Sequence, residues 1–294
     1  MKLTREIQRK IIQIAAFGYS NPYLGNFAGG RLYQGKWKYF CNPGINCYSC
    51  PAAGLACPIG ALQVSGSSAG PKFGFYAMGF ILAFGIVLGR AVCGFLCPFG
   101  LIQELLHKIP SPKFHLPKPV TYLKYVLLVV FVLILPPALA AGTGVGTPAF
   151  CEYICPAGTL EAGIPLLLTH PELRSIIGSL FSLKMFILAV TLVGCVLVSR
   201  FFCKAMCPLG AIYGLLNRVS LYRMEINSTA CVSCGKCTAV CPMDVDPVHS
   251  PNSAECIRCG KCVSACPVDA LSTGFSPLSP PASPAPGSTK ILFR

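Results

Sequence analysis

GRAVCGFLCPFGLIQELL, residues 89–106, recurs as SRFFCKAMCPLGAIYGLL, residues 199–216. Each copy carries an Arg, then a C-x3-C-P core, then a Gly two residues past the Pro. Residues four apart share one helix face, so each pair offers two thiols in one direction. The Pro disfavours helix at the Cys before it and suits the first turn of a new helix. Each motif therefore reads as the end of one helix and the start of another. The new N-terminus supplies free N–H groups and a positive dipole end, which suit an anionic thiolate centre. Two such pairs make a complete ligand set. The repeat predicts one [4Fe–4S] cluster held by Cys93, Cys97, Cys203 and Cys207 on a pseudo-twofold axis between two halves. The competing reading is four buried thiols packing as small hydrophobes.

Outward from the repeat, the chain is 53% hydrophobic and 12% charged over 294 residues, against about 25% charged in an ordinary soluble domain. This composition predicts a membrane protein. Uncharged runs of spanning character cover 125–141, 73–89 and 185–199, the last extended by 176–183 if Lys184 snorkels. A further run, 11–30, is read as a retained first segment: Gln13 interrupts it and no small-residue cleavage site follows. Cysteine loops precede the two later helices, with CPIGALQ at 57–63 and CPAGTLE at 155–161. The expected fold is an all-α membrane bundle of about four transmembrane helices with an internal two-fold repeat, residues 1–224, divided at about 118 and 119. A small α+β two-cluster bacterial ferredoxin domain follows at 225–273, and a Pro/Ser-rich tail at 274–294 reads as disordered.

The net charge of +14 is not a nucleic-acid signature, because Lys and Arg gather at the ends of the apolar runs. One group is Lys2, Arg5, Arg9 and Lys10, a second Lys108, Lys113, Lys118 and Lys124, a third Arg200, Lys204, Arg218 and Arg223. Four crossings put all three on one face, which predicts a cytoplasmic N-terminus and ferredoxin domain. Arg31, Lys36, Lys38 and Lys72 fall on the other face.

Nineteen cysteines are the other extreme of the composition. CVSCGKCTAVCP (231–242) and CIRCGKCVSACP (256–267) are two C-x2-C-x2-C-x3-C-P runs, in which the fourth Cys ligates the other cluster. Cys231, Cys234, Cys237 and Cys266 are expected to hold one [4Fe–4S] cluster, and Cys256, Cys259, Cys262 and Cys241 the second. Zinc or disulfides are the alternative, but zinc sites rarely show eight cysteines in this duplicated register.

The C-x3-C-P repeats after apolar helices, followed by a two-cluster domain, resemble NapH-type membrane polyferredoxins, and the membrane regions of NosR and CcoG proteins share the signature. CPLGAIYGLLNRVSLYR (207–223) is especially similar to NapH-type sequences. The resemblance covers about residues 75–270. It implies four membrane helices, cytoplasmic clusters and electron transfer, in the NapH case from quinol. Cys93, Cys97, Cys203 and Cys207 match the family's membrane motifs, and the eight later cysteines its ferredoxin motifs. The departure is the first outer loop, which in NapH-type proteins has no cysteines.

That loop contains Cys41, Cys47, Cys50 and Cys57, and the loop between the third and fourth helices contains Cys151 and Cys155. Two crossings separate the loops, which places both on the face opposite the ferredoxin domain. The six thiols suit an outer cluster or disulfides. Few charges and much Gly and Ala suit re-entrant segments packed within protein. The expected set is Cys41, Cys47, Cys50 and Cys57, with Cys151 and Cys155 exchanging in or forming a bridge. Cys195, mid-helix, reads as packing. Arg90 and Arg200 read either as interface anchors or as charges that raise the potential of a cluster. No facing His pair, dinucleotide fingerprint or flavin domain is visible, so neither haem nor flavin is expected and no catalytic residue is assigned.

These features predict an electron-transfer subunit of an oxidoreductase that passes electrons between a cytoplasmic donor and the quinone pool or an extracytoplasmic acceptor; a quinol-dehydrogenase type is what the resemblance implies. Its expected partners are membrane lipid, a soluble electron donor, and quinone or a partner redox subunit, with no nucleic acid. An accessory reductase for maturation of another metalloenzyme and a membrane redox sensor are the alternatives.

Overall fold

The computed structural model describes residues 2–65, 71–143 and 147–276. The expected tail lies outside the described residues from 277 onward. The chain is mostly helical. In order come α1 (Lys2–Ser20), α2 (Pro58–Ser65), α3 (Pro71–Leu88) and α4 (Pro98–Leu106). Then follow α5 (Lys118–Ala141), α6 (Ser179–Leu197) and α7 (Pro208–Leu216). Between α3 and α4 sits a single turn, Ala91–Phe95, and between α6 and α7 its counterpart, Phe201–Ala205.

Two of these helices, α5 and α6, are long and apolar enough to cross a membrane, each with mean hydropathy 2.3. Phe75–Leu88 within α3 is a shorter apolar helix. Inside α5, Pro136 and Pro137 cannot donate to the preceding turn. The chain before them, Leu128–Ile134, widens into π-helix. Only 28% of the α5 window and 17% of the α6 window is buried. Val126, Val129, Leu133, Phe186, Val190 and Val193 face outward, while Leu127, Val132, Leu188 and Cys195 face the interior.

The first segment departs from the expected 11–30 run. Its helix is Lys2–Ser20, and beyond Asn21–Pro22 the chain turns away. It is amphipathic in an inverted sense. Ile7, Ile11 and Ile14 are exposed, whereas Arg9 and Gln13 are only 2% exposed. Both polar side chains donate to Gly94 O, and Arg9 and Lys10 pair with Glu104 on α4. The charge that breaks the apolar run is thereby neutralised inside the protein.

The C-terminal lobe is closed by one antiparallel strand pair. Here β1 (Tyr222–Ile226) runs against β2 (Leu271–Phe275), with Tyr222 opposite Phe275 and Ile226 opposite Leu271. The pair extends the lobe to either side of the expected 225–273. Its two halves repeat at an offset of 25 residues: Ser233 and Arg258, Gly235 and Gly260, Asp244 and Asp269 all have positive φ.

One half of the lobe is seated on the helical part. Arg258 donates to Leu88 O, Ser220 Oγ and Asn217 O. Asn217 Nδ2 donates to Ser253 O and Cys256 O, while its Oδ1 accepts from Arg90 N. Gly89 is required here twice over: its φ is +57°, and a Cβ would lie 2.6 Å from Asn217 Oδ1. A Cβ on Gly94 would likewise meet Ile257 O at 2.6 Å. Lys204 pairs with Asp244 and Arg90 with Glu255 across the same seam.

Candidate metal centres

All nineteen cysteines are free. Sixteen of them gather into four groups of four, described from the surface inward.

Cys231, Cys234, Cys237 and Cys266 line one cavity of the lobe, with Gly235, Val248 and Leu271 around them. Cys234 is exposed. Cys262 lies within electrostatic reach of Cys256, Cys259 and Cys241, which defines the second group. In both, the fourth Cys of one run joins the first three of the other, as the register requires. Backbone N–H groups point at the sulfurs: Ala270 N donates to Cys266 and Val245 N to Cys241.

The third group, the lobe-side set, is Cys93, Cys97, Cys203 and Cys207. All four are buried, and Cys207 has the other three as electrostatic neighbours. The two halves are cross-braced. Arg90 Nη2 donates to Cys203 O at 2.7 Å, and Arg200 Nη1 donates to Cys93 O at 2.5 Å. Arg200 is paired with Glu104. Three cations share that carboxylate, whose pKa is held well below the ordinary 4.5 by Arg200, Arg9 and Lys10 against the opposing pull of burial. Both guanidiniums act on Cys93 as fixed positive charge.

The fourth group, the far set, is not the one expected. Cys47, Cys57, Cys151 and Cys155 come together, two from each half of the chain. Cys151 has Cys155, Cys57 and Cys47 as neighbours. A Cβ on Gly60 would stand 3.8 Å from Cys151 Sγ, and one on Gly158 3.7 Å from Cys47 Sγ. Cys41 and Cys50 stay outside this four, each beside one of its members: Cys41 has Cys57 as an electrostatic neighbour, and Cys47 packs on the apolar cluster around Cys50. A bridge from Cys41 to Ala56 turns the first against Ala61 and Ala77. A turn from Cys47 O to Cys50 N sets the second against Ala52, Ala53 and Phe27. Cys195 also stays outside, donating to Gln103 Oε1.

The loop 41–57 was expected to lie wholly on the face away from the lobe. It instead folds inward, because it contains no charged residue and can be buried. Gly44 lies directly on Cys97, and Pro43 O accepts from Tyr213.

The pattern C-P-x-G occurs at Cys57, Cys97, Cys155 and Cys207, and the structure gives it one meaning. At Cys97, Cys155 and Cys207 the Cys is the N-cap and the Pro opens the helix. At Cys207 the Gly210 N–H, three residues on, donates to the Cys sulfur at 3.2 Å, an N-terminal cap with sulfur as the acceptor. At Cys57, Cys97 and Cys155 the matching Gly N–H faces the sulfur without closing that bond. Sequence reading missed the residue six past each of these cysteines, although CPIGALQ and CPAGTLE display it. Gln63 donates to Cys151 Sγ at 3.4 Å and Gln103 to Cys203 Sγ at 3.1 Å. Glu161 accepts from Cys47 N at 2.8 Å, and Tyr213 stands beside Cys93 and Cys97. Each reaches across the site toward a cysteine of the other pair. The signal was the repeated i, i+6 spacing, about one and two-thirds helical turns.

The donor sets fit iron–sulfur clusters. Each offers four soft sulfur donors with N–H groups around them. Burial first, with the neighbouring thiols and, at Cys155, Glu161 adding to it, pushes the Cys155 and Cys262 thiols up to about 12. They would be thiolates at neutral pH only against a cationic centre. Among the described residues, no three His, Cys, Asp or Glu converge closely enough for a single metal ion. A cubane, in which each thiolate binds a different iron, needs that wider spread.

Comparison with known proteins agrees with this chemistry. The chain matches a 4Fe-4S binding domain over residues 70–117, 128–166 and 180–226, and a 4Fe-4S dicluster domain over 223–267. It is 29% identical over 175 residues to the uncharacterized protein MJ0750 of Methanocaldococcus jannaschii, covering 56% of this chain and 63% of that one. It is 32% identical over 158 residues to the methylamine utilization ferredoxin-type protein MauN of Paracoccus denitrificans, covering 53% and 50%. The MauN of Methylobacillus flagellatus is 25% identical over 243 residues, covering 80% and 75%. The first two matches thus span only half to somewhat under two thirds of those relatives' lengths. No solved structure gives a significant match. The chain is therefore an iron–sulfur protein built from 4Fe-4S binding domains of two kinds, related to ferredoxin-type electron-transfer proteins.

Proposed function

We propose that this protein is a membrane-embedded electron conduit with four [4Fe–4S] clusters, one on each group of four cysteines. Such a cluster supplies a one-electron couple; the protein's part is to hold, space and tune it. Electrons would enter from a soluble donor near the exposed Cys234 and pass inward to quinone or to an acceptor on the far face. The NapH-type resemblance favours quinol as the membrane partner.

The observation that carries this reading is the order of the groups. The half-lobe bearing Cys256 is seated against the lobe-side set through Asn217, Arg90 and Ile257. The lobe-side set in turn abuts the loop that supplies Cys47 and Cys57. Membrane embedding is supported by the exposed apolar faces of α5 and α6 and by the inverted polarity of α1. The positive groups near the lobe would put it in the cytoplasm.

Iron and acid-labile sulfide in anaerobically purified protein test the reading. About sixteen irons per chain are expected, four per cluster. About twelve would remove the far cluster and leave a protein that delivers electrons only to the lobe-side edge. The relatives named for methylamine utilization lend weight to a second reading, an accessory reductase serving another enzyme.

A further inference from the structure

Two consecutive backbone amides stand between the lobe-side and far sets. The backbone N–H of Ile45 faces the lobe-side thiol Cys97, and that of Asn46, the next residue, faces the far-set thiol Cys57. Asn46 runs directly into Cys47, itself a thiol of the far set. Between the two amides lie only the Cα and carbonyl carbon of Ile45. Ile45 is 3% exposed and Asn46 1%, so no water competes for these contacts. Gly44 allows the approach: a Cβ there would lie 2.5 Å from Cys97 Cα and 3.2 Å from its Sγ. The segment is fixed from both flanks. Tyr213 donates to Pro43 O at 3.0 Å, and Asn42 Nδ2 to Gly44 O at 3.0 Å.

We propose that Gly44-Ile45-Asn46 is the contact that couples the two membrane sites, positioning both and setting their relative reduction potentials. The proposal rests on the reading that both sets hold one-electron centres. An N–H directed at a ligating sulfur stabilises the reduced, more negative state and so raises the potential. Covalent bonds and hydrogen bonds also carry an electron over distance better than empty contact. Only an electron moves along this path: one centre loses it, the other gains it, and neither a proton nor a bond is exchanged. The segment thus does for the two sites what a shared ligand would do, without ligating either.

Ile45→Pro deletes the amide to Cys97 while keeping an apolar side chain. In full-length protein with wild-type iron content, two changes are expected. The magnetic interaction between the two membrane centres, read by electron paramagnetic resonance of the reduced protein, weakens. The electron partition between them shifts about tenfold away from the lobe-side site, about 59 mV for a one-electron couple. The potentials of the two lobe clusters serve as an internal reference and stay in place. Gly44→Ala is the second variant. Its Cβ must push the segment off Cys97, so the same loss of interaction is expected without removing an amide. If Ile45→Pro fails to assemble, Gly44→Ala decides. An iron-replete variant with wild-type interaction and partition overturns the coupling role. A wild-type protein with only about twelve irons overturns the far cluster itself and the coupling with it, so the two failures are told apart.

Discussion

The lobe-side and far sets are built alike and charged differently. Each takes two thiols from each half of the chain, each is entered by two C-P-x-G turns, and each receives a side chain from six residues past a cysteine. Around the lobe-side set stand Arg90 and Arg200, both buried, with their carboxylate partners directed away toward α4 and the lobe. At the far set Lys184 donates to Cys151 O, and a carboxylate, Glu161, stands at the position that Gln63, Gln103 and Tyr213 hold in the other copies, accepting from Cys47 N. Duplication supplied the geometry, and substitution at a few buried positions separated the electrostatics. The fixed positive charge favours the reduced state at the lobe-side site, so that site is expected to have the higher potential of the two.

Loss of a ligand should have the largest effect. Cys203→Ala is expected to remove the lobe-side cluster, about four irons per chain, and to stop transfer from the lobe to the membrane acceptor. Cys151→Ala should remove the far cluster alone. Cys50→Ala should leave the iron content unchanged. If Cys50→Ala loses iron and Cys151→Ala does not, the far set has been assigned to the wrong thiols.

The next effect is on stability. Glu104→Gln leaves Arg9 and Arg200 buried without their carboxylate and should cost roughly 3–5 kcal/mol, read as a lower thermal midpoint. The same group predicts acid behaviour. Its folded-state pKa is depressed, so its contribution is full above the ordinary 4.5 and is lost as pH falls below it. The wild-type midpoint should therefore hold from pH 8 to about 5 and drop below that, while Glu104→Gln should lose this part of the acid response.

Smaller effects test the charge asymmetry directly. Arg200→Gln should lower the lobe-side potential, shifting its reduction equilibrium about tenfold, about 59 mV, with the far potential unmoved. Equal movement at both sites would mean the charge is felt globally and the comparison fails. Gln63→Leu and Gln103→Leu each remove one N–H to sulfur, and each should lower its own site's potential by less than Arg200→Gln does. Redox titration followed by electron paramagnetic resonance measures all three.

Much of this was legible because the ligands come in short periods. In the lobe, two Cys runs at an offset of 25 residues fix both groups through local turns. The Cys93–Cys97 and Cys203–Cys207 pairs are four-residue spacings beside a Pro, and local sterics place them. The far set was not legible, since Cys47 and Cys57 are ten residues apart in a loop without periodicity and the adjacent Cys41 and Cys50 are chemically identical. Which two join is decided by the Cys41–Ala56 bridge and the Cys47–Cys50 turn. The first helix was misplaced for a related reason: Arg9 and Gln13 look too polar for an interior until α4 supplies Glu104 and the turn before it supplies Gly94 O.

The sequence by itself determined the thiol inventory, the C-P-x-G turns, the repeated halves and the apolar helices. All of these follow from spacings shorter than two helical turns or from composition. Tertiary structure alone decided which outer cysteines meet, which half of the lobe sits on the helices, and that residues 44–46 lie between the lobe-side and far sets. Those outcomes depend on contacts between segments far apart in the chain, where burial of an uncharged loop and the pairing of buried charges are set by the partner and not by the local pattern.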